Sequence, residues 1–124
     1  MLAIADTSPI CYLIMIGEIE FLPKVFSQVL APRAVIAELL HGDAPASVRA
    51  WASSPPYWIA TRETPLLATS GLEKLQAGER AAILLAEFMK ADIVLLDEKA
   101  ARRVSESLAS WVSLERLPLG VWSI

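Results

Sequence analysis

The chain has 124 residues, a single domain by size, with 55% hydrophobic and 20% charged residues and a net charge of −3 at pH 7. Fourteen acidic side chains against eleven Lys and Arg exclude a uniformly basic nucleic-acid binder, while leaving room for a cation-filled acidic site with local basic residues. Mean hydropathy is +0.47, yet no apolar run reaches the roughly 18 residues that a membrane span needs.

One cysteine, Cys11, leaves no internal disulfide, and the N-terminus lacks the basic region and cleavage site of a signal peptide. A cytoplasmic protein without a membrane segment is expected. The surplus of apolar residues reads as a buried partner surface, with an extensive parallel sheet as the plainer alternative.

The first apolar run, Leu2–Ala5, is too short for periodicity to decide, but Thr7 or Ser8 can cap a helix and Pro9 suits its first turn. A buried strand therefore ends at Asp6, and a helix follows to Ile16. Gly17 breaks it, and Glu18–Phe26 reads as a second helix with Ile19, Leu22 and Phe26 on one face. Gln28–Leu30 forms a short strand ended by Ala31-Pro32, then Val35–His41 is helical with Gly42 as its C-terminal cap. Pro45–Ser53 is a further helix, and Tyr57–Ala60 a strand suited to an edge by the prolines before it.

Pro65–Leu75 reads as loop plus a helical turn. Gly78-Glu79 open the clearest helix, with Ala81, Ala82, Leu84, Leu85 and Phe88 as its apolar stripe. Ile93–Leu96 is the fourth strand, Lys99–Leu108 the helix behind it, and Trp111–Leu114 a last strand before the apolar tail Pro118–Ile124. Strands alternating with helices predict an α/β domain with a mainly parallel central sheet, in one unit over residues 1–124.

Two of these strands end in an acid that leads into a helix: Asp6 after the first and Asp97 after Ile93–Leu96. Ligands of open α/β sheets bind beyond the carboxyl ends of the strands, so parallel neighbours would bring both carboxylates to one crevice. There they repel and raise each other's pKa unless a cation lies between them. Glu38, among apolar neighbours on an intervening helix, and Glu79, in the first turn of another, can join them. Singly each has a plain explanation as a turn acid, a solvated residue or a helix cap. Together they form the oxygen-rich donor set that Mg2+ and Mn2+ prefer.

The segments Ile4-Ala5-Asp6-Thr7-Ser8-Pro9-Ile10, Ala31 to Leu40, Gly78-Glu79-Arg80-Ala81-Ala82 and Leu95-Leu96-Asp97-Glu98 resemble the PIN-domain family, in order and over nearly the whole chain. The closest likeness is to the short prokaryotic PIN domains linked to nucleic-acid binding. The resemblance implies a three-layer α/β/α fold and a metal-dependent endoribonuclease. Its acidic quartet would be Asp6, Glu38, Glu79 and Asp97, with Mg2+ or Mn2+ between them. Ser8 or Thr7 would help to position a ligand or water, and Arg102 and Arg103 would meet RNA phosphates, with a solvated or ion-paired helix face as the equally weighted plain reading of that pair. Many such relatives are homodimeric toxins paired with an antitoxin protein.

This chain departs from that pattern after Asp97, where Glu98-Lys99-Ala100-Ala101 stand in place of a glycine and further basic residues. It is also short at its C-terminal end, since relatives continue for a helix or two beyond the segment matching Leu117–Val121. A catalytically inactive PIN-like binding or assembly module is the alternative that this shortening suggests. A phosphatase or receiver-like domain would use Asp6 or Asp97 as a phosphate acceptor, but the Asp-x-Asp context and later lysine it needs are missing.

His41 follows Glu38 by three residues and shares its helix face, but one Glu-x-x-His is half of a di-iron motif. It reads as a polar residue at a helix end. Trp51, Trp58, Trp111 and Trp122 can stack on bases, though their apolar contexts favour core or interface. No glycine-rich phosphate loop or Cys and His cluster occurs.

Overall fold

Alternation along the strands sets the layers of the computed structural model, which describes residues 1–65, 75–103 and 120–123, the last group by backbone alone. In chain order the elements are β1 (Leu2–Ala5), α1 (Thr7–Met15), α2 (Phe21–Val25), β2 (Gln28–Pro32), α3 (Arg33–Leu40), α4 (Ala46–Ser53), β3 (Ile59–Arg62), α5 (Ala77–Met89), β4 (Ile93–Leu96) and β5 (Gly120–Ser123). The chain is helical again over 98–103, directly after β4.

The strands form one five-stranded sheet in the order β3-β2-β1-β4-β5, parallel throughout. Ala3 stands opposite Val29 on one side and Ile93 on the other, so β1 lies at the centre. Ile4, Leu30, Val94 and Leu96 bury one face against Ile83 and Leu85 of α5. Ala3, Ala5, Val29, Ala31 and Leu95 bury the other against Ile10 and Leu13 of α1, Val35 and Leu39 of α3, and Val48 of α4. A three-layer α/β/α sandwich follows from period-two side chains buried on both faces.

The chain steps outward from β1 to β2 to β3, then α5 carries it back across the sheet to β4 on the opposite side of β1. Where the order reverses, the loops after β1 and β4 diverge and leave a crevice at the carboxyl ends of the strands. Among the described residues no helix is long and apolar enough to cross a membrane. Much of the apolar surplus is taken up by this doubly covered sheet.

Several boundaries differ from the expected ones for local reasons. Glycine at position 17 takes φ +75 and closes α1: its N–H donates to the Ile14 carbonyl at 3.1 Å, and the Glu18 N–H to the Leu13 carbonyl at 2.8 Å. That Schellman pattern reverses the chain and delays α2 to Phe21, so the helix expected over Glu18–Phe26 is shorter. Helix α3 begins at Arg33, because β2 runs straight into it through Pro32, and it ends at Leu40 with an extended His41. Gly42 therefore does not cap it in a left-handed conformation, as expected; positive φ occurs only at Gly17 and Lys90 among the described residues.

Strand β3 is displaced to Ile59–Arg62 but is an edge strand as the prolines imply. Phe88, assigned to the apolar stripe of α5, is 58% exposed. The inner face of α5 keeps Ala82, Leu84 and Leu85 of the expected stripe and adds Glu79, Ile83 and Ala86. The tail forms β5, a strand the sequence reading did not assign. The strand expected at Trp111–Leu114, residues 66–74 of the expected loop, and the part of the Lys99–Leu108 helix beyond 103 lie outside the described residues. So do the side chains of Trp111 and Trp122, whereas Trp51 and Trp58 form a tilted pair at 6.1 Å beside the core.

Candidate active site

Asp6 is placed by the sheet itself. Its N–H donates to the Leu95 carbonyl at 3.1 Å, which carries the β1–β4 ladder one residue past the strand and delivers the carboxylate to the crevice. It stands at the N-cap of α1 without a capping bond into the helix, and the backbone N–H of the adjacent Thr7 is its hydrogen-bond partner. Only 4% of its surface is exposed.

Burial pushes the Asp6 carboxyl up from 3.8 to about 6; the Thr7 backbone N–H opposes this, and the negative charges of Glu79, Glu38 and Asp97 add to it. Three acidic neighbours from three other segments thus reach one carboxylate. The convergence expected from the sequence is present.

Asp97, half-buried after β4, accepts the Ala100 N–H at 2.6 Å and so caps the following helix. The plain reading of this residue as a cap holds together with its place in the crevice. Glu38, on the exposed side of α3, accepts the Thr7 hydroxyl at 2.9 Å. Of the two small polar residues after the first acid, Thr7 therefore orients an acidic side chain, while Ser8 lines the cavity with its exposed side chain.

Glu79 is 2% exposed and, with Asp6, one of two buried charged residues among those described. Its Oε1 accepts the Gln76 N–H at 3.3 Å, the backward reach of a capping box, and the Arg103 Nε at 3.0 Å. Its Oε2 accepts the Arg103 Nη2 at 2.5 Å. This bidentate pair explains how a carboxylate survives without water. The same carboxylate and its hydrogen bonds push the Arg103 guanidinium further above its ordinary value, against its own desolvation, with Asp97 and Asp6 assisting.

Gly78 makes the crevice possible. A Cβ there would lie 2.5 Å from Glu38 Oε1 and 3.2 Å from Asp6 Oδ1, so the missing side chain is the space in which α3 and β1 bring their carboxylates against α5. Gly78 belongs to the Gly78-Glu79-Arg80-Ala81-Ala82 motif, but nothing local to that segment reveals the gap it leaves. Lys99 and Gln76 also line the cavity of about 370 Å3, and neither was singled out. Lys99 is one of a run of charged residues after Asp97, and only the turn that begins at Asp97 shows which of them face inward.

Arg102 does not line this cavity; it pairs with Glu98 at 3.2 Å on the exposed side of the same helical segment. His41 accepts the Asp43 N–H at its Nδ1, 3.1 Å away, and borders a more apolar groove that adjoins the cavity through Thr7 and Glu38. Four carboxylates around a polar cavity fit a hard divalent cation by donor chemistry. Among the described residues no three His, Cys, Asp or Glu side chains stand grouped to hold an ion as they are placed. Arg103, Thr7 and Ala100 already engage three of the four acids.

An acidic crevice at the reversal point of a parallel three-layer sheet lies where open α/β proteins bind their ligands. The matching family model, DUF3368, described as a PIN domain, spans residues 2–112, and the chain belongs to this PIN-domain family. No curated protein and no solved structure matches it. At the family level this makes it a nuclease-type protein, of a kind that generally uses divalent metals.

Two outcomes follow. Substituting Gly78→Ala should leave urea stability within about 1 kcal/mol of wild type, because the exposed Glu38 side chain can yield, yet weaken Mn2+ binding measured by calorimetry; unchanged binding would show that the gap at Gly78 is idle. The second concerns Asp6. Its raised pKa means that the native state holds a proton the unfolded chain has released. Stability of the metal-free protein should therefore fall as pH rises from 3.8 to about 6, by up to about 3 kcal/mol. Asp6→Asn should remove that contribution, so its stability relative to wild type should rise between pH 3.8 and about 6 and level off above that in parallel urea titrations.

Proposed function

We propose that the protein is a Mg2+- or Mn2+-dependent endoribonuclease whose acidic site comprises Asp6, Glu38, Glu79 and Asp97. The observation that carries this reading is their convergence on one polar cavity at the switch point of a PIN domain. A divalent cation at such a site lowers the pKa of water and offsets the charge that builds on a phosphodiester in the transition state.

The chain's own groups supply the rest. Asp6, buried and facing three like charges, is the carboxylate with most to gain from a cation. Thr7 holds Glu38 toward the cavity, and Gly78 leaves the space between them. Lys99 and Arg103 line the same cavity, where their charge suits a phosphate, with Ser8 as a neutral hydrogen-bonding group. Arg102, on the outer side of the helix, is placed to touch RNA only beyond the cavity.

The toxin role of a type II toxin and antitoxin pair, in the cytoplasm, belongs to the same proposal. It draws support from α1, whose Tyr12, Met15 and Ile16 fall on one helix face and are each at least half exposed. Such a face suits a homodimer or an antitoxin protein. A catalytically inactive binding module is the second reading, and one observation favours it: Glu79 is already neutralised by Arg103.

Mn2+ calorimetry and cleavage of a mixed RNA pool, run on wild type and on Asp6→Asn combined with Asp97→Asn, separate these readings. The ribonuclease reading expects binding and cleavage in wild type and a loss of both in the double variant, with cleavage down by at least about a hundredfold. Binding without cleavage supports the silent module. A folded wild type that binds no Mn2+ removes the metal-dependent reading.

A further inference from the structure

Glu79 is the most enclosed carboxylate of the quartet, and both of its oxygens are taken. The Gln76 N–H and the Arg103 Nε fill Oε1, while Arg103 Nη2 lies 2.5 Å from Oε2. These three donors use most of the roughly four lone-pair sites of the carboxylate, and the guanidinium stands where a cation shared with the other acids would have to sit.

Arg103 itself is differently placed. Its side chain is 36% exposed against 3% for Glu79, so it stands at the mouth of the cavity and has solvent to turn into. It arises from the helical segment that Asp97 caps, six residues after that acid, so the segment that contributes one carboxylate also contributes the cation that blocks another. Arg102 is no substitute, being paired with Glu98 on the outer side.

We propose that Arg103 is the resident counter-cation of the acidic site, and that its guanidinium and a divalent metal ion compete for the carboxylate of Glu79. This rests on the metal-dependent reading above. Without metal, the guanidinium supplies the positive charge that a buried carboxylate requires. Metal uptake exchanges one cation for the other, and Arg103 leaves Glu79 while staying attached at the cavity mouth. Metal affinity in the wild-type chain is therefore set partly by the strength of its own ion pair, and loss of Arg103 should tighten it.

A residue that merely positioned Glu79 for the metal would have the opposite effect. The two roles are distinguished by Mn2+ calorimetry on the full chain, comparing wild type, Arg103→Gln and Arg103→Lys, together with urea unfolding of each metal-free protein. Competition predicts that Arg103→Gln binds Mn2+ at least about tenfold more tightly while its metal-free form is less stable. Arg103→Lys, with a charge but no fork, should fall between them and keeps the comparison usable if the glutamine variant does not fold. Equal or weaker binding by the variants overturns the competition and leaves the metal site standing. Folded wild type and variants that all fail to bind Mn2+ overturn both.

Discussion

A carboxylate removed from water must be answered by a cation, and in this protein two carboxylates, Asp6 and Glu79, are buried side by side where the sheet changes direction. The cost of that burial is visible in the two responses the chain makes. Glu79 is met by the guanidinium of Arg103, whereas Asp6, held by the Thr7 backbone N–H but without an ion pair of its own, is pushed toward its protonated form by burial and by the three acids around it. Burial beside like charges is an electrostatic cost that a divalent cation at this site would relieve.

The topology is what makes that cost local. A parallel sheet covered on both faces can gather side chains only at its strand ends, and the return of α5 across the sheet opens those ends between β1 and β4. Residues from β1, α3, α5 and the turn after β4 then face one cavity. The opposite end of the same strands carries a contrasting acid, Asp92, which accepts the Leu2 N–H at 2.8 Å and lies exposed. One end of the sheet has an acid satisfied by backbone and solvent; the other has acids held against each other.

Local signals in the sequence account for most of this. Apolar runs punctuated by Asp6-Thr7-Ser8-Pro9 and by Asp97-Glu98 reveal strand, acid and helix without any tertiary knowledge, and they place β1 and β4 to the residue. Glu38 and Glu79 need the fold, because a helical acid among apolar neighbours looks the same whether it faces water or a site. What local pattern cannot show is contact between distant segments: the gap left by Gly78 against Glu38, and the reach of Arg103 to Glu79 across 24 positions. Nor does it reveal β5, since a short apolar tail becomes a strand only when the edge of β4 is there to pair with it. Phe88 failed for a related reason, because helix periodicity marks a face but not which side of that face lies nearest the sheet.

The central claim is that the crevice between β1 and β4 is a divalent cation site. Titrating Mn2+ at substoichiometric amounts into the metal-free protein, and following paramagnetic broadening of its backbone amide resonances, tests this residue by residue. The amides of Asp6, Thr7, Gly78 and Asp97 should broaden first, with Leu2 and Asp92 at the far end of the strands among the last. Broadening centred on Asp92, or spread evenly over the surface acids, would contradict the claim.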